Sequence, residues 1–316
     1  MADVAYLPGP EAPPERKPLL GFAMVVAAGA LWGANGTVMK VILESGPSTS
    51  ETAELRVGGA ALLLVAVLAV SRRDLLHVER RDLLALALFG IAGLTFVQLL
   101  YLYAIDRLPI AIALLIQYTA PLMVALYARY GAHEEVRARV WAALALALAG
   151  LALVLQVWHG ITLDGIGAIA AIGAAVTFAL YILLAERGVK RRHPVSLLTF
   201  GLIWSTLFWA VVAPWWDFPF GDLGESVSLQ GHLSGVHVPL GVLALWMIVL
   251  GTVVPFALLV SALRHVSATS AGLVAMLEPV VATVVAASWL GESLTALQVV
   301  GGVVVLVATG LAQTAR

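Results

Sequence analysis

Residues 239–262 read PLGVLALWMIVLGTVVPFALLVSA, a run without one charged side chain. Wound as an α-helix at 1.5 Å per residue, it extends about 36 Å, enough to cross the ~30 Å hydrocarbon core of a bilayer. No soluble core helix needs so long an uncharged stretch, so this segment is read as a membrane span. Working outward, comparable runs lie near 19–42, 52–71, 83–104, 109–129, 138–157, 165–185, 195–214, 267–290 and 294–313. With 239–262 they make ten. The expected fold is therefore an all-α polytopic membrane protein.

Composition agrees. Of 316 residues, 61% are hydrophobic and only 12% charged, about half the charged share of a soluble domain. A formal net charge of −1 leaves no basic face for nucleic acid. There are no cysteines, which excludes disulfides, thiol catalysis and thiolate metal sites. The Pro-rich residues 1–18 read as a disordered tail, and the run from Leu19 is too long for a cleaved signal segment.

The basic residues set an orientation. With the N-terminus inside, the cytoplasmic segments carry Arg16, Lys17, Arg72, Arg73, Arg80, Arg81, Arg129, Arg137, Arg139, Arg187, Lys190, Arg191, Arg192, Arg264 and Arg316. Only Arg107 falls in an outer loop, and Lys40 and Arg56 sit near outer helix ends. The longest loop, 215–238, holds Asp217, Asp222 and Glu225 without a Lys or Arg. This positive-inside pattern puts both termini in the cytoplasm; the membrane expected is a bacterial inner membrane. Trp158, Trp215 and Trp216 fall at outer ends, where interfacial aromatics belong.

A shift of 158 residues lays 104–150 on 262–308, Pro121 on Pro279 and Glu134 on Glu292, with eight of 47 positions identical. The hydropathy pattern repeats with it. The expected organisation is a five-helix unit over 19–158 and a second over 159–316. Five is odd, so the second unit would be inverted, as in many transporters that bind substrate near the midplane.

Catalytic signatures are absent. No lysine follows glycine before Ser or Thr, so there is no phosphate-binding loop, and no G-x-S-x-G elbow occurs. All seven histidines fall in loops or at helix ends, so no metal or other cofactor is expected. Polar groups inside the spans are few: Asn35 and Thr37, Gln98 and Tyr101, Gln117 and Tyr118, Tyr181, Trp204 and Ser205, Trp246, and Glu278. Each singly is compatible with helix–helix hydrogen bonding or packing; as a set they suggest a water-filled cavity. Glu278, mid-span and followed by Pro279, either satisfies the broken backbone ladder or serves as an amine or proton site. Glu44, Glu51, Glu54 and Arg56 read as solvated outer ends.

Ala30-Leu31-Trp32-Gly33-Ala34-Asn35 resembles the first-helix A-x-W-G-x-N/S pattern of the drug/metabolite transporter superfamily, EamA type. Residues 262–279, ALRHVSATSAGLVAMLEP, with Trp289-Leu290-Gly291-Glu292 and Gly301-Gly302, resemble its closing signature. Residues 104–121, AIDRLPIAIALLIQYTAP, are a weaker first-half copy with Ala120 where Glu278 stands. The resemblance implies ten helices, inverted repeats and a central cavity. The Trp, Tyr and Gln content of the spans is similar to that of aromatic amino acid exporters of the YddG type. The expected function is export of small metabolites, leading with apolar or aromatic amino acids, by alternating access. The alternatives are an importer, a cationic-drug exporter with Glu278 as counter-charge, and a lipid-handling protein. Candidate substrate-binding residues are Trp32, Asn35, Gln98, Tyr101, Gln117, Tyr181, Trp204, Trp246 and Glu278. Pro121 and Pro279 are candidate hinges. Beyond a small-molecule substrate and the lipid bilayer no partner is implied, and a monomer is expected.

Overall fold

A computed structural model describes residues 17–158, 164–212 and 220–314. Most of the N-terminal tail, Trp215, Trp216, Asp217 and Arg316 lie outside the described residues. Among the described residues ten helices are long and apolar enough to cross a membrane. They are α1 (Pro18–Glu44), α2 (Thr49–Ser71), α3 (Arg80–Ile105), α4 (Ile110–Gly131), α5 (Ala138–Leu155), α6 (Gly165–Val189), α7 (Pro194–Val212), α8 (Leu240–Ala262), α9 (Ala268–Leu290) and α10 (Ala296–Gln313). Each falls on one of the ten expected runs. A short antiparallel hairpin, β1 (Ser226–Ser228) with β2 (His237–Pro239), precedes α8.

The bundle is apolar on the outside. Leu62, Val70, Ile169, Val211 and Leu245 are more than half or nearly half exposed, as lipid-facing side chains should be. The interior is instead rich in small residues: Ala28, Ala60, Ala143, Ala147, Ala171, Ala174 and Ala175 are all fully buried. Lipid tails are as apolar as leucine, so helices associate by close packing rather than by hydrophobic transfer, and small residues permit it. The α5–α10 pair shows why. A Cβ on Gly150 would lie 2.8 Å from the Gly301 carbonyl oxygen, and one on Gly301 2.6 Å from that of Gly150.

The local irregularities recur in both halves. In α3 the turns widen to π geometry over Leu88–Thr95, and in α8 over Val249–Val253. Thr95 and Thr252 each donate a hydroxyl to the carbonyl five residues back, Gly90 and Met247. In α4 and α9 the helix is interrupted at mid-span, after Gln117 and after Ala275.

The two ends are closed differently. At the end carrying most of the Arg and Lys, the Arg192 guanidinium donates to Asp82 and to the His77 carbonyl, both at 3.0 Å. Ser196 donates to the Leu75 carbonyl at 2.6 Å, Arg264 donates to the Arg192 carbonyl, and Glu186 accepts from the Ala268 amide at 3.0 Å. These bonds tie the α2–α3, α6–α7 and α8–α9 connections together. At the opposite end Lys40 pairs with Glu292 at 3.2 Å, both partners about half exposed. There the hairpin segment docks on α9, with the Trp289 indole donating to the Leu229 carbonyl at 2.8 Å.

Candidate functional site

The site is built around the broken α9. Its first segment, Ala268–Ala275, ends in tightened turns in which Met276 and Leu277 donate to Leu273 and Val274, three residues back. The second segment starts at Glu278, with Pro279 in its first turn, where proline's missing N–H costs least. The carboxylate of Glu278 thus sits at the N-terminal end of a helical segment, where the helix dipole favours negative charge. The same arrangement holds in α4: Ile110–Gln117 ends, Thr119 donates to Ile116, and Ala120–Leu126 begins with Pro121 in its first turn. The two breaks meet, since a Cβ on Gly272 would lie 3.3 Å from the Pro121 ring.

Helix α1 presses directly against Glu278. A Cβ on Gly33 would come within 2.8 Å of the Glu278 carbonyl oxygen, the Ala282 amide nitrogen and the Val281 side chain. Glycine in the A-L-W-G-A-N motif is therefore a contact requirement. Its neighbours divide the remaining work. Trp32 meets Phe256 edge-on at 5.0 Å, and Asn35 is buried against Gly251 in the wide turn of α8, its Oδ1 without a hydrogen-bond partner.

Around Glu278 converge side chains from three further helices. The Tyr118 hydroxyl lies within hydrogen-bonding reach of its carboxylate, and Tyr101 and Arg56 are near enough to interact with it electrostatically. Arg56 also donates to the side-chain oxygen of Gln98, while its Nε has no hydrogen-bond partner. Arg56, Gln98, Tyr101 and Glu278 each keep partial accessibility despite this interior position. Toward the basic end lies a connected set of rings. Tyr181 stacks with Phe89 at 5.5 Å and with Phe178 at 6.3 Å, and meets Phe256 edge-on at 5.9 Å; Phe178 in turn reaches Tyr118. Phe89 and Tyr181 are almost completely buried in the main core cluster. The polar group thus has an aromatic wall on one side.

Not every expected residue joins it. Trp204 packs on the main core and against Gly90. Gln117 is partly accessible, one position before the α4 break. Trp246 is 39% exposed on α8, whereas the neighbouring Met247 is buried against α1. Two residues read as solvated outer ends are placed differently. A capping box, Ser48 with Glu51, starts α2 at Thr49, three residues before the expected run. That places Glu54 and Arg56 inside the helix rather than at a solvated end. Glu54 is 5% exposed with its Oε2 unpartnered, and Arg56 belongs to the Glu278 group. A Ser-x-x-Glu signature at 48–51 was the signal available for this.

Among the described residues no group of three or more His, Cys, Asp or Glu could hold a metal.

Comparison with known proteins adds the family. The EamA-like transporter family matches the chain twice, over residues 19–156 and 165–313. The chain is 28% identical to the threonine/homoserine exporter RhtA of Escherichia coli K12, over 83% of this chain and 81% of that protein. It is 29% identical to an uncharacterized transporter of Archaeoglobus fulgidus, over 90% and 93%, and 27% identical to the uncharacterized transporter YdfC of Bacillus subtilis, over 79% and 76%. A solved crystal structure with 16% identity superposes with a TM-score of 0.77, covering 94% of this chain and 97% of that one, which speaks for the fold alone. With both five-helix halves matched, the chain is a multi-pass membrane protein and belongs to the EamA-like transporter family.

Proposed function

We propose that the chain exports amino acids, foremost those with apolar or aromatic side chains, from the bacterial cytoplasm by alternating access. One observation carries the reading: a mid-membrane Glu278 with Tyr118, Tyr101 and Arg56 near its carboxylate, Arg56 itself held by Gln98, stands beside connected rings of Trp32, Phe256, Tyr181 and Phe178. Charged side chains inside a bundle are costly and mark a substrate or ion path. The wall supplies contact area for an apolar side chain, and the polar group orients a charged backbone. A relative named as a threonine/homoserine exporter supports amino acids in general as the substrate class.

With the basic end in the cytoplasm, the hydrogen bonds of Arg192, Ser196, Arg264 and Glu186 close the inner side of the substrate path. The halves are then inverted repeats, with matching π turns in α3 and α8 and matching breaks in α4 and α9. Opening the inner side requires these bonds to part while α4 and α9 flex at Pro121 and Pro279. The test is uptake of a labelled amino-acid panel into proteoliposomes holding the purified chain, with and without a pH gradient. Movement of apolar or aromatic amino acids is the expected result. Movement of another metabolite class with every amino acid excluded would overturn the substrate assignment.

A further inference from the structure

We infer that Arg56 and Glu278 form a two-point clamp for a zwitterion, Arg56 taking the substrate's α-carboxylate and Glu278 its α-ammonium. The inference rests on the Glu278 group being the substrate site, and it adds the chemistry by which substrates are selected.

Arg56 is placed for this by its surroundings. It lies on α2, seven residues into the span, where an unpaired guanidinium is costly. It does not spend its charge on a direct ion pair. Among the described residues the ion pairs within 4.0 Å are Lys40–Glu292, Arg72–Asp74, Arg81–Glu79, Arg107–Asp106 and Arg192–Asp82. Arg56 and Glu278 act on each other through space without closing that distance. Gln98 accepts from one terminal nitrogen, which fixes the fork, and Nε is left with an undonated proton. A guanidinium so held offers parallel donors matched to a carboxylate.

The carboxylate half is equally prepared. Glu278 has the Tyr118 hydroxyl within hydrogen-bonding reach and Tyr101 nearby, and α1 contributes backbone contact through Gly33 but no charge. Among the described residues the charged groups that act on each other here are Arg56 and Glu278; the buried Glu54, two residues from Arg56, lies near Gly58 and Thr206 on the α7 side. A monocation would be attracted by Glu278 and repelled by Arg56; a monoanion would meet the reverse. A species carrying both charges a few ångströms apart satisfies both groups and spares them the cost of remaining unpaired in low dielectric. The cationic-drug reading, with Glu278 as sole counter-charge, leaves Arg56 unexplained.

The experiment compares zwitterions with their one-charge analogues in proteoliposomes: L-phenylalanine and L-threonine beside phenethylamine and 3-phenylpropanoate. Wild-type protein is expected to favour a zwitterion over either analogue by at least tenfold. Replacing a charge-assisted contact should reduce zwitterion transport by roughly ten- to a hundredfold in Arg56→Gln, raising the amine-to-zwitterion ratio at least tenfold; Arg56→Lys should fall between. Glu278→Gln should shift the ratio the other way, toward 3-phenylpropanoate. As a readout that needs no variant to fold, phenylalanine should compete with labelled substrate in wild-type protein, and phenylalaninamide, which lacks the carboxylate, should not. Equal competition by the amide, or equal loss of amine and zwitterion transport in Arg56→Gln, overturns the clamp while leaving amino acid transport standing. Failure of the wild type to move any zwitterion overturns the transport assignment, and the clamp with it.

Discussion

Three glycines on α1 make a graded test of how closely the helix is pressed onto the site. An added Cβ at Gly36 meets nothing within 4 Å, one at Gly29 meets the Glu278 amide nitrogen at 3.7 Å, and one at Gly33 meets three α9 atoms at 2.8 Å. Ordinary contact begins near 3.4 Å, so Gly33→Ala requires α1 and α9 to part by roughly 0.6 Å at closest packing. Two of the three opposing atoms are backbone, which cannot rotate away. Overpacking of this kind costs about 1–3 kcal/mol, while replacing a helical glycine recovers up to about 1 kcal/mol. The net loss of about 1–2 kcal/mol corresponds to a fall in apparent Tm of about 2–8 °C. Gly29→Ala and Gly36→Ala, without a clash, should leave Tm unchanged or raise it slightly. The assay is intrinsic tryptophan fluorescence during heating of purified variants in one detergent at one protein concentration. Because the displaced segment carries Glu278, transport by Gly33→Ala should fall by more than the stability loss explains. A Tm for Gly33→Ala within 1 °C of that for Gly29→Ala would show that α1 does not bear on α9 as described.

Three further outcomes follow from the same structure. Pro121→Ala and Pro279→Ala each restore a backbone donor at a helix break and should slow transport about fivefold or more while leaving binding in detergent within about twofold, if the breaks flex; equal losses in binding and turnover would mark them as static kinks. Asp82→Asn leaves the largely buried Arg192 without its carboxylate; the cost is about 1 kcal/mol because Asp82 is partly exposed, and protease access or cysteine labelling at the cytoplasmic end should increase. A single cysteine at position 191, in a chain that has none, should resist impermeant reagents in intact cells, and labelling there would invert the topology.

How much of this is legible in the sequence depends on the length scale of each signal. Ten spans can be read because lipid demands some twenty apolar residues in a row, a demand met within each segment. The breaks at Pro121 and Pro279 were visible for the same reason, since a proline disrupts its own turn. Which face of α8 carries Trp246 is not legible in the sequence, because a uniformly apolar helix offers no periodic contrast between its faces. Leu245 and Trp246 are exposed while Ala244 and Met247 are buried, a division made by α1 and not by α8's composition.

Arg56 exposes the deeper limit. Two residues from Glu54 and near an expected helix end, it has the local pattern of a solvated charge, and nothing within twenty residues says otherwise. Its meaning comes from Gln98, 42 positions later, and from Glu278 in the other half of the chain. The step that brings them together starts locally, with the Ser48–Glu51 capping box that begins α2 early enough to carry Arg56 inside the bundle. From there only packing decides. Gly33 lets α9 approach α1, the second segment of α9 begins at Glu278, and α3 brings Gln98 to Arg56 and Tyr101 near Glu278. A charge whose partners lie on other helices is costly until all of them are in place, so its presence inside a chain with few charges argues for use at the site rather than for stability.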